Sequence, residues 1–317
     1  KKGDISIICK KKIVKDVKKR AEEITLEEAE KIEKGKSYGD TIDVSIPLED
    51  LGRIAVQAAK QVLFQKVREA ETEVIYDEFK NKIGQIISGV VMRKERGCYY
   101  INIGKTEAIL YQKDTSPLDS FKRGETIKAY IDDVKKTPKG PVIRLNRTKP
   151  EFVAGLFALE VPEIYDGLVV IKKIVREPGE RTKLIVYSGD KSIDPVGSCV
   201  GMKGTRVQAI VRELRGERID IIPYTDDPRL LIAKALSPAV VEKIGINEEE
   251  KTAVVIVDDS QLSLAIGKRG QNVRLAMKLT GWNIDIMSTT EYDKIKMEET
   301  EKQLKESFAE AEEDKKT

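Results

Sequence analysis

Histidine is absent from all 317 residues of this chain. The commonest side chain for general acid–base catalysis, and the commonest metal ligand, is therefore missing. The chain has 54 acidic residues, but none falls in a recognisable catalytic spacing. The expectation is a protein with no catalytic residues, no metal site and no cofactor. Cysteine is scarce too. Cys9, Cys98 and Cys199 stand far apart and form no C-x-x-C, a pattern suited to a reducing cytosol rather than a disulfide scaffold. No run approaches the roughly 18 apolar residues of a membrane helix, and no signal peptide is evident, so a cytoplasmic protein with no membrane partner is expected. One-sided charge is lacking as well. The 57 lysines and arginines against 54 acids leave a net charge of +3. Any polyanion site must therefore arise from local clustering. The chain opens at Lys1 without methionine, and a preceding segment is expected to be missing.

What the chain does have is one pattern twice. Gly201-Met202-Lys203-Gly204 returns as Gly267-Lys268-Arg269-Gly270. Before the first stand Val196, Cys199 and Val200, and before the second Leu262, Ala265 and Ile266, each trio at the i, i+3, i+4 spacing of a helix face. Val207, Ile210, Val211 and Leu214 follow the first; Val273, Ala276, Met277 and Thr280 follow the second. Each copy ends in a strand-like run, 218–222 and 283–287. Upstream of each lie a helix (151–159, 228–236) and two strands (167–176 with 181–187, 240–246 with 253–258). The order α-β-β-α-α-β, with a basic Gly-x-x-Gly between two helices, resembles the KH domain of the prokaryotic type, a reader of single-stranded nucleic acid. The chemistry suits phosphate: glycines permit a tight turn and close backbone approach, and the second helix presents unpaired N–H groups and the positive end of its dipole. Lys203, Lys268 and Arg269 add full charges. Arg206 or Arg274 follows about one turn on, and Asn272 lies in the second motif. A single such loop is most often an ordinary turn; two basic ones in matching frames are not.

The remaining segments are less repetitive. Residues 1–81 read as α+β: weak alternation at 4–8, a helix over 26–34, clean alternation over 40–46, then a long helix over about 48–81 with Leu51, Ile54, Ala58 and Val62 on one face. Residues 82–148 carry five short strands (84–93, 98–103, 106–111, 126–134, 142–146), which predicts a small all-β OB-fold barrel. Tyr99 and Tyr100 must point to opposite faces of their strand, so at most one is core. The other would form a stacking platform beside Arg93, Lys94 and Arg96. Residues 149–225 and 226–289 are the two KH units, and 290–317 form an acidic tail in which Tyr292, Ile295, Leu304 and Phe308 make one weak stripe.

This order, with Leu51-Gly52-Arg53-Ile54-Ala55 opening the connector helix and Leu264-Ala265-Ile266-Gly267-Lys268-Arg269-Gly270-Gln271-Asn272-Val273-Arg274 around the second loop, resembles the NusA family of bacterial transcription factors. The resemblance covers about residues 1–288. It implies a monomeric, non-enzymatic factor whose N-terminal domain contacts RNA polymerase and whose S1-type barrel and KH pair hold the nascent single-stranded RNA. It implies roles in pausing, intrinsic termination and antitermination, with other antitermination factors as partners. The start of the N-terminal domain and the acidic C-terminal repeats of some relatives are not in this chain, so autoinhibition by such repeats is not expected. Two other classes use similar modules. Polynucleotide phosphorylase places a single KH before its barrel and a large phosphorolytic core first, an order not found here. An RNA chaperone or ribosome-associated RNA-binding protein is the alternative; the long connector helix and mixed N-terminal domain favour a separate protein partner.

Overall fold

The computed structural model describes residues 7–46, 53–138 and 140–298. The chain divides into two compact units, 1–74 and 75–317. Asp4, Ile5 and Ser6, the start of the long helix at 48–52, and Leu304 and Phe308 of the tail stripe lie outside the described residues.

In the first unit, β1 (Ile7–Ile13) runs antiparallel to β3 (Thr41–Ile46) and parallel to the two-residue β2 (Glu23–Ile24). The alternation over 40–46 aims Ile42 and Val44 at one side, where they pack with Ile13, Ile24 and Ala29. Ala29 sits on α1 (Leu26–Ile32), capped by the Thr25 hydroxyl, which accepts from the Glu28 N–H. Helix α2 (Arg53–Lys80) follows. Its expected buried face is not found among the described side chains: Ala58 and Val62 are exposed, as are Leu63, Phe64 and Val67. Helical spacing alone does not bury a residue, as Ala58 and Val62 show.

The second unit begins with a closed barrel. Its strands are β4 (Ile86–Glu95), β5 (Cys98–Asn102), β6 (Glu107–Tyr111), β7 (Thr126–Thr137) and β8 (Gly140–Asn146). They close in the order β4-β5-β6-β8-β7, with β6 and β8 the parallel pair. Period-2 alternation sends Tyr99, Ile101, Ala108, Leu110, Ile127, Ile131, Ile143 and Leu145 inward. Phe79, on the last turn of α2, plugs the same core.

Two αββααβ modules follow. The first comprises α3 (Pro150–Glu160), the short α4 (Pro162–Tyr165), β9 (Val169–Glu177), β10 (Arg181–Ser188), α5 (Pro195–Val200), α6 (Thr205–Glu213) and β11 (Arg218–Pro223). Strand β10 is central, antiparallel to β9 and parallel to β11. Leu184 and Val186 face α3, α5 and α6, against Phe152, Leu156, Phe157, Cys199 and Ile210. The second comprises α7 (Pro228–Ala235), β12 (Val241–Asn247), β13 (Thr252–Val257), α8 (Leu262–Ile266), α9 (Gln271–Thr280) and β14 (Asn283–Ser288), with the same pairing.

The other face of β10 explains why the modules form one body. Ile185 and Ile222 of the first sheet share a core with Ile232, Ala235, Leu236 and Ala276 of the second module. Buried Lys183 donates to the Ser237 carbonyl at 2.8 Å, and Arg274 of α9 pairs with Glu177 of β9 at 2.7 Å. Barrel and first module meet through Arg147, 1% exposed. Its guanidinium holds Asp119 through two 3.0 Å bonds, Glu213 at 2.8 Å and the Lys128 carbonyl. Burial opposes its charge, but the two carboxylates more than offset this and hold its pKa above the ordinary value. Arg176 and Glu217, whose side chains are both buried, make a second charged joint nearby.

Candidate nucleic-acid interface

The two Gly-x-x-Gly loops have one backbone. Gly201 stands at φ 72°, ψ 172° and Gly267 at φ 76°, ψ 171°. Lys203 (φ 51°) and Arg269 (φ 54°) are held left-handed, and Gly204 and Gly270 follow at φ 76° and 70°. Three residues of positive φ in four, the first with extended ψ, turn the chain from α5 into α6 and from α8 into α9. This leaves Met202, Lys203, Lys268 and Arg269 exposed, Met202 to 88%. The first N–H groups of α6 and α9 lie directly beyond the turn, where a phosphate gains most from them.

The glycines have different reasons. A Cβ at Gly201 would lie 2.7 Å from Arg206 Cγ, and one at Gly267 would lie 2.8 Å from both Asn272 N and Cβ. At Gly270 nothing lies within 4 Å, and at Gly204 only Val207, at 3.9 Å. The leading glycine thus makes room for the following helix; the trailing one supplies the left-handed turn and leaves open space.

Arg206 and Asn272 turn out to be one position in the repeat. Arg206 Nη1 donates to the Ser198 carbonyl at 2.6 Å and to Glu163 at 3.0 Å. Asn272 Nδ2 donates to the Leu264 and Ala265 carbonyls at 3.3 and 3.2 Å, and to Leu236 O at 2.8 Å. Ser198 and Leu264 are the matching residues of the two copies, so both side chains tie the end of the preceding helix to the start of the next. Asn272 is fully buried. Its expected place among RNA contacts is corrected: its side chain is turned into the fold. Nor does Arg274 repeat Arg206. It lies two residues further along its helix, bound to Glu177, whose carboxyl Arg274 holds below its ordinary pKa. Lys268, Arg269 and Arg274 line a shallow cleft with Glu177, Pro178 and Glu180, so acids of the first module border the second loop.

On the barrel, Tyr99 is the core residue, 2% exposed, set edge-to-face against Phe121 at 5.3 Å. This corrects its expected place among the RNA contacts, since no base can stack on a buried ring. Tyr100 is its outward neighbour, half-buried. The Arg93 guanidinium lies 4.1 Å over the Tyr100 ring and is gripped by Glu107 at 2.7 and 3.0 Å, which raises the Arg93 pKa. Lys94 and Arg96 are exposed. Arg123 joins Arg93 and Lys94 in one cleft. The sequence reading did not single it out: it stands 30 positions from Arg93, and only barrel closure brings them together.

Comparison with known proteins agrees with this geometry. Residues 1–73 match the NusA N-terminal domain, 147–224 the NusA-like first KH domain and 228–294 the NusA-like second KH domain. A protein of Halalkalibacterium halodurans called transcription termination/antitermination protein NusA is 48% identical over 307 residues, covering 97% of this chain and 80% of its own length. Its namesake in Bacillus subtilis is 50% identical over 289 residues, 91% and 78% of the two chains. That of Thermus thermophilus is 42% identical over 283, 89% and 73%. With two basic loops of one geometry, a five-stranded barrel ahead of them and relatives matched over most of both lengths, the chain belongs to the NusA family.

Proposed function

We propose that this protein is an RNA-binding transcription factor that holds the nascent single-stranded transcript while bound to RNA polymerase, and so modulates pausing, intrinsic termination and antitermination. The observation that carries this is the pair of loops with matching dihedrals, each presenting exposed cations at a helix start. Lys203, Lys268 and Arg269 are the phosphate contacts, with backbone N–H groups at Gly204 and Gly270. Such contacts hold register without reading sequence. Arg93, Lys94, Arg96, Arg123 and Tyr100 offer a further basic and aromatic surface on the barrel. The working division is 1–81 for polymerase, 82–148 for the barrel, 149–225 and 226–289 for the KH modules, and 290–317 as tail. The protein acts in the cytoplasm as a monomer, without catalysis or cofactor, with other antitermination factors as partners. Tethering of RNA to polymerase raises the effective concentration of each for the other and requires no new chemistry.

The test is fluorescence anisotropy with a single-stranded RNA of about 15 nucleotides, long enough for two grooves of about four nucleotides each, at two salt concentrations. The double variant Lys203→Asp, Arg269→Asp is expected to bind far more weakly, and its salt slope to shallow by about 0.7 per lost phosphate contact. An unchanged affinity and slope in a folded variant would remove the loops from the RNA site. Pull-down of polymerase rather than ribosomal subunits separates this reading from a ribosome-associated one.

A further inference from the structure

The outer face of the first KH sheet is only partly covered. Val175, Ile185 and Ile222 lie under the second module. Beyond them the same face continues into a patch that the loops and the barrel do not account for. Tyr187 of β10 and Tyr224, just past β11, meet edge-to-face, with centroids 5.6 Å apart and planes at 86°. Each is 39% exposed. Val170, directly across the ladder from Tyr187, is 44% exposed. A register shift in the β9–β10 ladder falls at Lys172, whose ammonium stands 4.8 Å from the Tyr187 centroid and 5.8 Å from that of Tyr224. The Tyr224 hydroxyl donates to Asp226 at 2.9 Å, which fixes that ring.

We infer that this corner is an accessory RNA site, one that takes an unpaired nucleobase from a transcript extending past the two loops. Two perpendicular rings form an L. A base can stack on one ring with its edge against the other, and stacking of this kind is sequence-tolerant because every base has a π-face. Lys172 caps the corner as a strongly hydrated charge on a flexible stem. A base entering the corner displaces the ammonium, which then meets the phosphate of the same nucleotide. Asp226 at the far ring excludes phosphate from that side, so the base and not the backbone enters there. A protein occupant fits less well. The exposed apolar patch amounts to three partly exposed side chains, Val170, Tyr187 and Tyr224, against the roughly 800 Å² and 20–30 residues per partner of a stable protein interface. The aromatic faces are also charge-capped in a way that suits a polyanion.

The inference rests on the RNA-binding reading above, and the experiment separates the two. Anisotropy is measured with an 8-nucleotide RNA, about enough for the two loops, and with a 16-nucleotide RNA that extends beyond them. The variants are Tyr187→Ala/Tyr224→Ala and Tyr187→Phe/Tyr224→Phe. The alanine pair is expected to raise Kd for the 16-mer about tenfold, the effect of losing one base–aromatic stack, and to leave the 8-mer unchanged; the phenylalanine pair keeps wild-type affinity for both. In parallel, a 16-mer carrying 5-iodouracil at successive positions is irradiated on the wild-type protein, and the cross-linked peptide is expected to contain Tyr187 or Tyr224. This arm decides the question even if the alanine pair folds poorly. Wild-type 16-mer binding by a folded alanine pair, or cross-links only at the loops and barrel, overturns the inference while leaving the loops as the RNA site. Failure of wild-type protein to bind either RNA overturns the RNA-binding reading itself.

Discussion

Replacing Arg147 by methionine tests whether the barrel and both KH modules behave as one body. The guanidinium is 1% exposed, its partner Asp119 is 2% exposed in its side chain, and Glu213 25%. The ring centroids of Phe121 and Phe152 lie 5.1 and 4.9 Å from the guanidinium carbon. Methionine keeps most of the stem but leaves Asp119 buried beside no counter-charge, whereas Glu213 can turn toward water. Breaking a buried pair by removing one partner typically costs about 3–5 kcal/mol. With a urea dependence of about 2–3 kcal/mol per molar, the midpoint should fall by about 1–2.5 M. Trp282 is the chain's one tryptophan and packs on the core of the second KH module, so it reports from the far end of the body. Its fluorescence midpoint should fall with the barrel's tyrosine signal. The second-site change Asp119→Leu in the methionine background should recover much of the loss, because an apolar replacement of a whole buried pair is often neutral. If Trp282 holds its wild-type midpoint while the barrel melts early, the modules unfold independently and the reasoning from the buried joint is wrong.

Three further outcomes rest on residues already described. Gly267→Ala should weaken RNA binding and lower the melting temperature, because its Cβ would press on the Asn272 backbone nitrogen at 2.8 Å in a left-handed residue; Gly270→Asn should be tolerated in melting experiments, since its φ of 70° suits asparagine and the space is open. Burial pushes the Cys199 thiol up to about 12, so at pH 8 it remains protonated. A native thiol titration with an aromatic disulfide should therefore count the two half-buried cysteines, Cys9 and Cys98, and reach the third only after denaturant is added; three fast thiols would contradict the packing of α5.

What was legible in the sequence was whatever is local. The barrel strands and both αββααβ orders follow from period-2 and period-3.6 spacing, and the loops follow from glycines whose positive φ is a property of a few residues. Alternation showed that Tyr99 and Tyr100 part company, but which one enters the core is decided by barrel closure against Phe121. Asn272 beside a basic loop looks like a ligand contact; it turns inward because the Leu236 carbonyl, 36 positions earlier in the chain, waits there for a donor. Arg206 and Arg274 look like a repeated arginine until the frames are superposed residue by residue. The α2 stripe shows the converse: among its described side chains, Ala58 and Val62 keep a helical spacing without burial. For Tyr99 and Asn272 the missing information was the identity of a partner distant in sequence.

Helix α9 serves two purposes. Its first turn carries the second loop, and its flank lies on strands β9 and β10 of the module bearing the first. On the proposed reading the two loops are the jaws of a caliper with a locked spindle. A transcript then bears most of the ordering cost, since the modules that carry the loops are already packed together. Length sensitivity should then be a step rather than a slope: an RNA too short to reach both jaws gains only one, and the next nucleotide that closes the gap gains the other at nearly full strength.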